Sequence, residues 1–240
     1  MKKSLGFTLA EVLITIGVIG VVAALTIPSL MAKNEERVLV NRLKQTYSIF
    51  SQAYMLAVEQ NEDPTGWDLG ERDTTEGAKK LYDILKVNIK RAHDCGNGTG
   101  CFASNYKALV GDTPYIWQPN TYPLYIKGML PNGTSFLTWS GGSGCTGSSL
   151  LANGKTYNTC GVIKVDLNGN NPPNRAGVDY FNFLVTTEGI IPSYNIIPGA
   201  RYGEFCKYND PSDRNGLNCT GYVIKYGKMD YLRRDVSGDN

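Results

Sequence analysis

The first 33 residues are MKKSLGFTLAEVLITIGVIGVVAALTIPSLMAK, and their charges separate an apolar segment from a polar body. Lysines stand at positions 2 and 3, Glu11 follows, and residues 12–32 carry no charge. At about 1.5 Å rise per residue, a helix over that segment is roughly 30 Å long, which matches the hydrocarbon core of a bilayer. A cleaved secretory signal has a shorter apolar region. The segment therefore predicts a transmembrane helix.

The same helix is predicted to continue beyond the apolar segment. Pro28 removes one amide donor and favours a kink, but apolar residues then recur at spacings of three and four, which is typical of one amphipathic helix. They are Leu39, Leu43, Tyr47, Phe50, Tyr54, Ala57 and Val58. Residues 61–66 contain the breakers that end the pattern. The sequence thus predicts one helix of about 50 residues, whose first half suits lipid and whose second half suits a protein surface.

These features give the N-terminus a resemblance to the type IV pilins and the type II secretion pseudopilins. The similarity lies in the short basic leader of residues 1–6, the junction GFTLAE at positions 6–11 and the apolar run that contains Pro28. In that family a membrane prepilin peptidase cleaves after the glycine and methylates the new amino terminus. The resemblance therefore implies cleavage between Gly6 and Phe7, an N-methylated Phe7, and an assembly role for Glu11 and Pro28.

Two interpretations of Glu11 are compatible with the sequence. Thr8 and Glu11 match the S/T-x-x-E capping box, in which both side chains bind free amides at the start of a helix. Glu11 would also lie about one turn inside an apolar column, where an acidic side chain without a partner costs on the order of 2.5–3.5 kcal/mol. Residues 12–32 hold no lysine or arginine, so the α-ammonium of Phe7 in a neighbouring subunit is the candidate partner. We favour the assembly role of Glu11, and the capping box is compatible with that role.

The polar body contains all six cysteines, in three couples that are adjacent in sequence. An even number of cysteines in a Gly- and Asn-rich body is typical of disulfides formed in an oxidising compartment. Zinc is disfavoured because the chain has no C-x-x-C and only one histidine, His93. Six cysteines allow about 15 pairings. We predict the local set, which is Cys95 with Cys101, Cys145 with Cys160, and Cys206 with Cys219.

The body is predicted to be an α+β head. Residues 75–91 form an expected helix with Asp73 or Thr74 as its cap. Aromatic and β-branched runs then predict short strands, and residues 130–133 predict a hairpin turn. The predicted strands are residues 115–117, 122–127, 134–139, 161–167, 180–187 and 222–226. We therefore expect a long N-terminal helix, transmembrane in its first half and amphipathic in its second, packed on a mainly antiparallel sheet with disulfide-stapled loops.

One loop of the head carries oxygen ligands at a calcium-like spacing. Asp166, Asn168 and Asn170 match the first three positions of a calcium loop, but the glycine and the bidentate glutamate of an EF-hand are not in place. Some pseudopilins bind calcium in a loop of the head, so Ca²⁺ held by Asp166, Asn168 and Asp179 is one hypothesis. An Asn/Gly/Pro turn with Asx hydrogen bonds is the other, and we favour it. No other cofactor is predicted.

Patterns of catalytic residues are missing from the sequence. No G-x-S-x-G occurs, the GKT at positions 154–156 lacks the first glycine of a phosphate loop, and a single histidine gives a triad or a zinc enzyme little to build on. The formal net charge of +2 is dispersed along the chain, which predicts no nucleic-acid partner. We therefore predict that the protein is the substrate of a processing enzyme and is not itself an enzyme.

The expected organisation has four parts. Residues 1–6 are a leader peptide, residues 7–32 the transmembrane and assembly half of the helix, residues 33–62 its amphipathic half, and residues 67–240 the globular head. The predicted function is a structural subunit of a type IV pilus-like or type II secretion pseudopilus filament. Before assembly the protein is expected in the inner membrane as a single-pass protein with a periplasmic head, and afterwards in a periplasmic or cell-surface filament.

The expected partners are the prepilin peptidase, copies of this chain or other pilin-like subunits, the inner membrane and the assembly platform. A pilus, a secretion pseudopilus and a DNA-uptake filament all remain open. Two other functions also remain: a membrane-tethered extracytoplasmic binding module for a glycan or a surface, and a tethered hydrolase that uses paired carboxylates. Fifteen tyrosines and three tryptophans could supply a binding face, although aromatic residues in short strands more often pack in the core or pair across strands.

Overall fold

The computed structural model describes residues 8–89, 93–150, 154–193, 206–216, 218–236 and 238–239. The leader and the predicted junction of Gly6 and Phe7 lie outside these ranges. The chain divides into two units, Met1–Val38 and Leu39–Asn240. A single long helix, α1 (Leu9–Asn61), contributes residues to both.

In the first unit, α1 is an apolar helix with exposed side chains. It continues through Pro28, which has no N–H and so leaves the carbonyl of Ala24 without its helical donor. The large apolar residues from Leu9 to Met31 are exposed in the isolated chain, which leaves them available to lipid or to other helices. Among the described residues, α1 is the one helix long and apolar enough to cross a membrane, by length and composition.

In the second unit, the predicted stripe of α1 is buried. Leu43, Phe50, Tyr54 and Ala57 are buried, and Leu39, Tyr47 and Val58 pack partly buried against the same core. Phe50 meets Phe136 edge-on with ring centroids 5.2 Å apart, and Tyr47 stacks on Phe183 at 5.7 Å. The amphipathic half of the helix therefore covers one face of the sheet, as the periodicity predicts.

The sheet has seven strands within the described residues, and every paired strand is antiparallel to its neighbour. They are β1 (His93–Gly96), β2 (Ile126–Met129), β3 (Ser135–Ser140), β4 (Gly147–Leu150), β5 (Thr156–Asp166), β6 (Tyr180–Thr186) and β7 (Gly189–Pro192). The order is β1-β2-β3-β5-β6-β7, and β4 pairs with the beginning of β5. With α1, this sheet confirms the predicted α+β class.

A tight turn joins β2 to β3 where the sequence predicts a hairpin. The amide of Leu130 donates to the carbonyl of Thr134 at 2.8 Å, and the amide of Gly133 donates to the carbonyl of Leu130 at 3.0 Å. Gly133 has a φ of 83°, a conformation that glycine adopts without steric cost. The turn fixes the register of the two strands.

The alternation of side chains gives the sheet two different faces. The first face, beneath α1 and α2 (Thr75–Lys86), carries Phe136, Ile163, Val165, Phe181 and Phe183 in the main core. The second face carries Leu137, Trp139, Val162, Lys164, Asn182 and Leu184. Residues 101–125 cover part of this second face, where Phe102, Tyr106, Tyr115 and Tyr125 form a separate aromatic core with Leu137 and Tyr180.

Helix α2 begins at its predicted position and ends early. Thr74 is the N-cap, since its hydroxyl accepts a hydrogen bond from the amide of Gly77 at 3.0 Å. The helix ends at Lys86 and not at residue 91. There the amide of Asn88 donates to the carbonyl three residues back, so the last turn tightens and the helix stops.

Two predicted strands are wrong, and a third, residues 122–127, overlaps β2 only at Ile126 and Lys127. Residues 222–226 belong to a helix, α3 (Thr220–Tyr226), in which Tyr222 contacts Tyr226 one turn later with ring centroids 4.6 Å apart. Gly227, with a φ of 67°, closes this helix with a left-handed cap. Residues 115–117 form no strand, and Ile116 and Trp117 form bends. In both segments the aromatic and β-branched composition suggested strands, but tertiary packing decides between strand and other structures.

Three disulfides staple the head. They join Cys95 to Cys101, Cys145 to Cys160, and Cys206 to Cys219, which are the local pairs that we predicted. The loops that they close are 6, 15 and 13 residues long. Closing loops of this size stabilises a fold by roughly 2–3 kcal/mol each in the chain-entropy model.

Candidate functional site

The first turn of α1 holds Glu11 in a local hydrogen-bond arrangement. Oε2 of Glu11 accepts hydrogen bonds from both the amide and the hydroxyl of Thr8, each at 2.8 Å. In return, the amide of Glu11 donates to Oγ1 of Thr8 at 3.3 Å. These bonds form the capping box that the spacing predicts, and they place a carboxylate at the positive end of the helix dipole.

The capping box is compatible with cleavage at the predicted junction. A cut between Gly6 and Phe7 leaves Thr8 as the second residue of the shortened chain, so both partners of the box are retained. The new α-ammonium would then belong to the residue next to Thr8. The local role and the assembly role of Glu11 therefore do not exclude each other.

Glu11 is the only charged side chain between Thr8 and residue 32. Two threonines of this column bond to their own helix: Oγ1 of Thr15 donates to the carbonyl of Val12 at 2.9 Å, and Oγ1 of Thr26 donates to that of Val22 at 2.8 Å. Such bonds let hydroxyls lie in an apolar environment. The carboxylate is thus the one group of the column that can form an ion pair with another chain.

Residues 1–27 match the model of the prokaryotic N-terminal methylation motif, which is the signature of type IV pilins and pseudopilins. The motif implies prepilin processing and assembly with pilin-like subunits in general, and its class is structural. Together with the apolar helix it fits membrane anchoring before assembly. Among curated proteins and among solved structures, none matches this chain.

The fold also brings together Asp166, Asn168 and Asp179, at the end of β5, in the following turn and before β6. Oδ1 of Asp166 accepts a hydrogen bond from the amide of Asn168 at 3.0 Å, which is an Asx turn, and its Oδ2 accepts from the hydroxyl of Tyr106. The two oxygens of Asp179 accept from the amides of Asn174 and Arg175 at 2.8 and 2.7 Å. The turn hypothesis accounts for the bond from the amide of Asn168, whereas the bond from Tyr106 joins segments 60 residues apart.

The two carboxyl groups are nevertheless in an unusual electrostatic environment. Both are fully buried. Burial, followed by the nearby charge of Asp179, raises the pKa of Asp166 to about 8. Burial likewise raises the pKa of Asp179 to about 6, although the hydrogen bonds that its carboxylate accepts lower the pKa. Two adjacent buried carboxylates repel each other unless one is protonated or a cation lies between them.

Amide oxygens complete the possible donor set. Oδ1 of Asn168 and Oδ1 of Asn174 are buried and have no hydrogen-bond partner. Carboxylate and amide oxygens are the donors that Ca²⁺ prefers, so the chemistry of this donor set is of the kind that a calcium site uses. In the described part of the chain, no group of three or more His, Cys, Asp and Glu side chains could hold a metal, so such a site would depend on the asparagine oxygens.

Sequence reasoning missed two members of this cluster. Tyr106 lies 60 residues before Asp166, and no local pattern connects them. Asn174 lies in the segment between β5 and β6, but its oxygen does not fall at a calcium-loop spacing. Their proximity to the carboxylates comes from the pairing of β5 with β6 and from the segment that covers the second sheet face.

Proposed function

We propose that this chain is the precursor of a filament subunit of the type IV pilus or type II secretion pseudopilus kind. The observation that carries the proposal is the match of residues 1–27 to the methylation motif, joined to an apolar helix with a single carboxylate at its start. In this proposal residues 1–6 are the leader, 7–32 the membrane and assembly segment, 33–62 the amphipathic segment, and 67–240 the head. No enzymatic activity is assigned to it.

Assembly would proceed through the first half of α1. The prepilin peptidase removes residues 1–6 and methylates Phe7, which keeps a positive charge at the new terminus. In a bundle of such helices, the ammonium of an incoming subunit pairs with Glu11 of its neighbour. Because a buried charge without its partner is strongly unfavourable, this pair fixes the register between subunits. The break in the hydrogen-bond ladder at Pro28 allows local adjustment of the packed helices.

The location follows from the same two features. The membrane segment holds the precursor in the inner membrane, and the three disulfides favour a head in the oxidising periplasm. After processing, the assembly platform transfers the subunit into a periplasmic or cell-surface filament made of copies of this chain or of other pilin-like subunits.

A bound calcium ion is a further part of the proposal for the head. Asp166, Asn168 and Asp179 would hold it, and the unpartnered oxygen of Asn174 could contribute. The ion would neutralise two buried carboxylates and tie the turn after β5 to the start of β6. Its role would be structural.

The assembly role is tested with three variants of the first helix. Glu11→Ala removes the carboxylate, Thr8→Val removes the capping hydroxyl but keeps the carboxylate, and Glu35→Ala removes an exposed glutamate outside the apolar segment. The measurement is the fraction of processed protein that sediments as filaments or can be cross-linked between subunits. We expect Glu11→Ala to lower that fraction by about tenfold or more, since an unpaired buried charge costs roughly 3–5 kcal/mol.

Thr8→Val and Glu35→Ala should assemble within about twofold of the wild type, because exposed caps and surface charges contribute about 1 kcal/mol or less. Membrane insertion and thermal unfolding of all three should resemble the wild type. If Glu11→Ala assembles normally, or if Thr8→Val fails equally, then Glu11 acts only as a helix cap.

A further inference from the structure

A cavity of about 270 Å³ lies on the second face of the sheet, away from α1. Its walls are Trp117, Tyr122 and Tyr125 from the segment above the sheet, and its floor is formed by Trp139, Lys164 and Asn182 from three strands. We call these six residues the aromatic pocket. Binding sites are typically concave and apolar with a few convergent polar groups, and this cavity has that composition.

Lys164 is a buried cation at the floor of the aromatic pocket. Only 6% of the surface of this residue is exposed. Its ammonium donates a hydrogen bond to the hydroxyl of Tyr125 at 2.9 Å. The ammonium also lies 5.0–5.6 Å from the ring centres of Tyr115, Trp117 and Tyr125. Among the ion pairs of the described residues, none includes Lys164.

A second polar group faces the same space. Asn182 lies directly opposite Lys164 in the pairing of β5 with β6, and only 6% of its surface is exposed. Its Oδ1 is buried and has no hydrogen-bond partner. Leaving a buried acceptor unpaired costs about 1–3 kcal/mol, so a donor from a ligand would recover that free energy.

The edge of the pocket adds another acceptor. Asp73 lines the cavity, its Oδ1 accepts a hydrogen bond from Nε1 of Trp139 at 2.9 Å, and its Oδ2 lies 3.4 Å from Nε of Arg72. The guanidinium of Arg72 also lies over the Trp139 ring at 5.5 Å. Arg72 therefore offsets the negative charge of Asp73 while the carboxylate keeps its capacity to accept hydrogen bonds.

These groups define the chemistry of the ligand. Cages of aromatic rings bind ammonium ions, but this one already contains the ammonium of Lys164, so a cationic ligand is disfavoured. The ligand needs one anionic group for Lys164, hydroxyl donors for Asn182 and Asp73, and C–H groups that can lie on the electron-rich faces of tryptophan rings. A pyranose ring that carries a carboxylate has all three. The volume suits one such ring, since larger ligands occupy pockets of roughly 300–1,000 Å³.

We propose that the aromatic pocket binds a hexuronic acid residue of an acidic glycan. The sugar carboxylate pairs with Lys164, ring hydroxyls donate to Oδ1 of Asn182 and to Asp73, and one face of the ring lies on Trp139. The proposal does not depend on filament assembly. It gives the head a binding function on the face of the sheet that α1 leaves open.

The test is calorimetric titration of the full chain in a detergent without a sugar head group, because glycoside detergents would compete for the site. The probe is methyl β-D-glucuronide, and the control ligand is methyl β-D-glucoside, which has the same ring without the carboxylate. We expect the glucuronide to bind with a Kd of about 1 mM or tighter, typical of one small ligand. The glucoside should bind at least about tenfold more weakly, because it lacks the charged partner of Lys164.

Two lysine variants identify the site. Lys164→Met keeps the length of the side chain and removes its charge, and we expect it to weaken glucuronide binding by about tenfold or more. Lys127→Met is the matched control, because Lys127 is a buried lysine on the same sheet face that donates to the carbonyl of Pro119 at 3.2 Å and does not line the pocket. It should bind as the wild type does.

Each result of these titrations either supports or overturns the proposal. Equal affinity for the two ligands, equal loss in both lysine variants, or no heat with the glucuronide up to about 20 mM would overturn the proposal. If thermal unfolding shows that Lys164→Met is not folded, the comparison of the two ligands on the wild-type chain decides whether the proposal holds, since it requires no variant.

Discussion

Asp166 is a carboxyl group whose protonation is coupled to folding. Burial beside Asp179 raises its pKa from 3.8 to about 8, so the folded chain holds a proton that the unfolded chain loses above about pH 4. The stabilisation from this proton is present at low pH and is lost as the pH rises through the folded value. The contribution of Asp166 to the free energy of unfolding should therefore decrease between about pH 4 and pH 8.

Asp166→Asn tests this coupling, because the amide keeps acceptor capacity but cannot ionise. Thermal unfolding of the full chain in detergent, without divalent cations, should show that the variant gains stability relative to the wild type as the pH rises from about 5 to 8. Asp112→Asn is the control, since Asp112 is an exposed carboxylate paired with Lys107 at 2.5 Å. It should show no such gain.

Calcium should reverse the effect in the wild type. At about pH 8, added Ca²⁺ should raise the unfolding midpoint of the wild type and not that of Asp166→Asn, because ligand binding to the folded state stabilises it. A titration without heat, together with no thermal shift, would remove calcium from the account. An unchanged difference between wild type and variant across the pH range would contradict the proposed protonation of Asp166.

At the level of elements, β5 and α2 approach each other closely at Gly161. A Cβ atom at this position would lie 2.3 Å from the carbonyl oxygen of Trp139 and 2.5 Å from Cδ2 of Leu81. Real Cβ atoms do not come so near, and a strand carbonyl cannot move aside easily. The packing of α2 over the first sheet face therefore depends on a glycine in the middle of β5.

Gly161→Ala should lower the free energy of unfolding by about 3 kcal/mol, the upper end of the usual range for overpacking. Gly66→Ala is the matched control, because a Cβ atom at Gly66 meets nothing within 4 Å. It should change stability by less than about 0.5 kcal/mol. Denaturant unfolding measures both variants, and equal stabilities would mean that α2 shifts freely on the sheet.

The elements that sequence predicted correctly are those with long periodic patterns. The stripe from Leu39 to Val58 repeats over several turns, so its helix and its buried face could both be predicted. Short elements gave weaker signals: β1, β4 and β7 have four residues each, and β1 and β4 contain no β-branched side chain. In α3 a glycine cap at Gly227 was the available signal, and the aromatic composition of the segment obscured it.

The candidate sites divide in the same way. Asp166, Asn168 and Asp179 are close in the sequence, so a turn that brings them together could be predicted. The aromatic pocket could not, because its residues come from the segment above the sheet and from three strands between positions 117 and 182. Only the pairing of β3 with β5 and of β5 with β6 places Trp139, Lys164 and Asn182 on one face.

For the whole molecule, the two units have complementary properties. Residues 39–240 contain buried cores and three disulfides, whereas the described residues before position 39 expose a column of apolar side chains. The leader carries Lys2 and Lys3, which account for the whole formal charge of +2. Its removal would leave a subunit without net side-chain charge, so repulsion between neighbouring heads in a filament would be modest.

The central claim is that this chain is a processed, pilin-like subunit, and the mature amino terminus tests it most directly. The protein should be purified from membranes of cells that contain a prepilin peptidase, with a Gly6→Arg variant as the unprocessed control, and its N-terminal peptide analysed by mass spectrometry. The account predicts that the wild-type chain begins at Phe7 and carries one N-methyl group, while the variant retains residues 1–6. An intact Met1 in the wild type, or a cut beyond Ala24 as in a cleaved secretory signal, would contradict it.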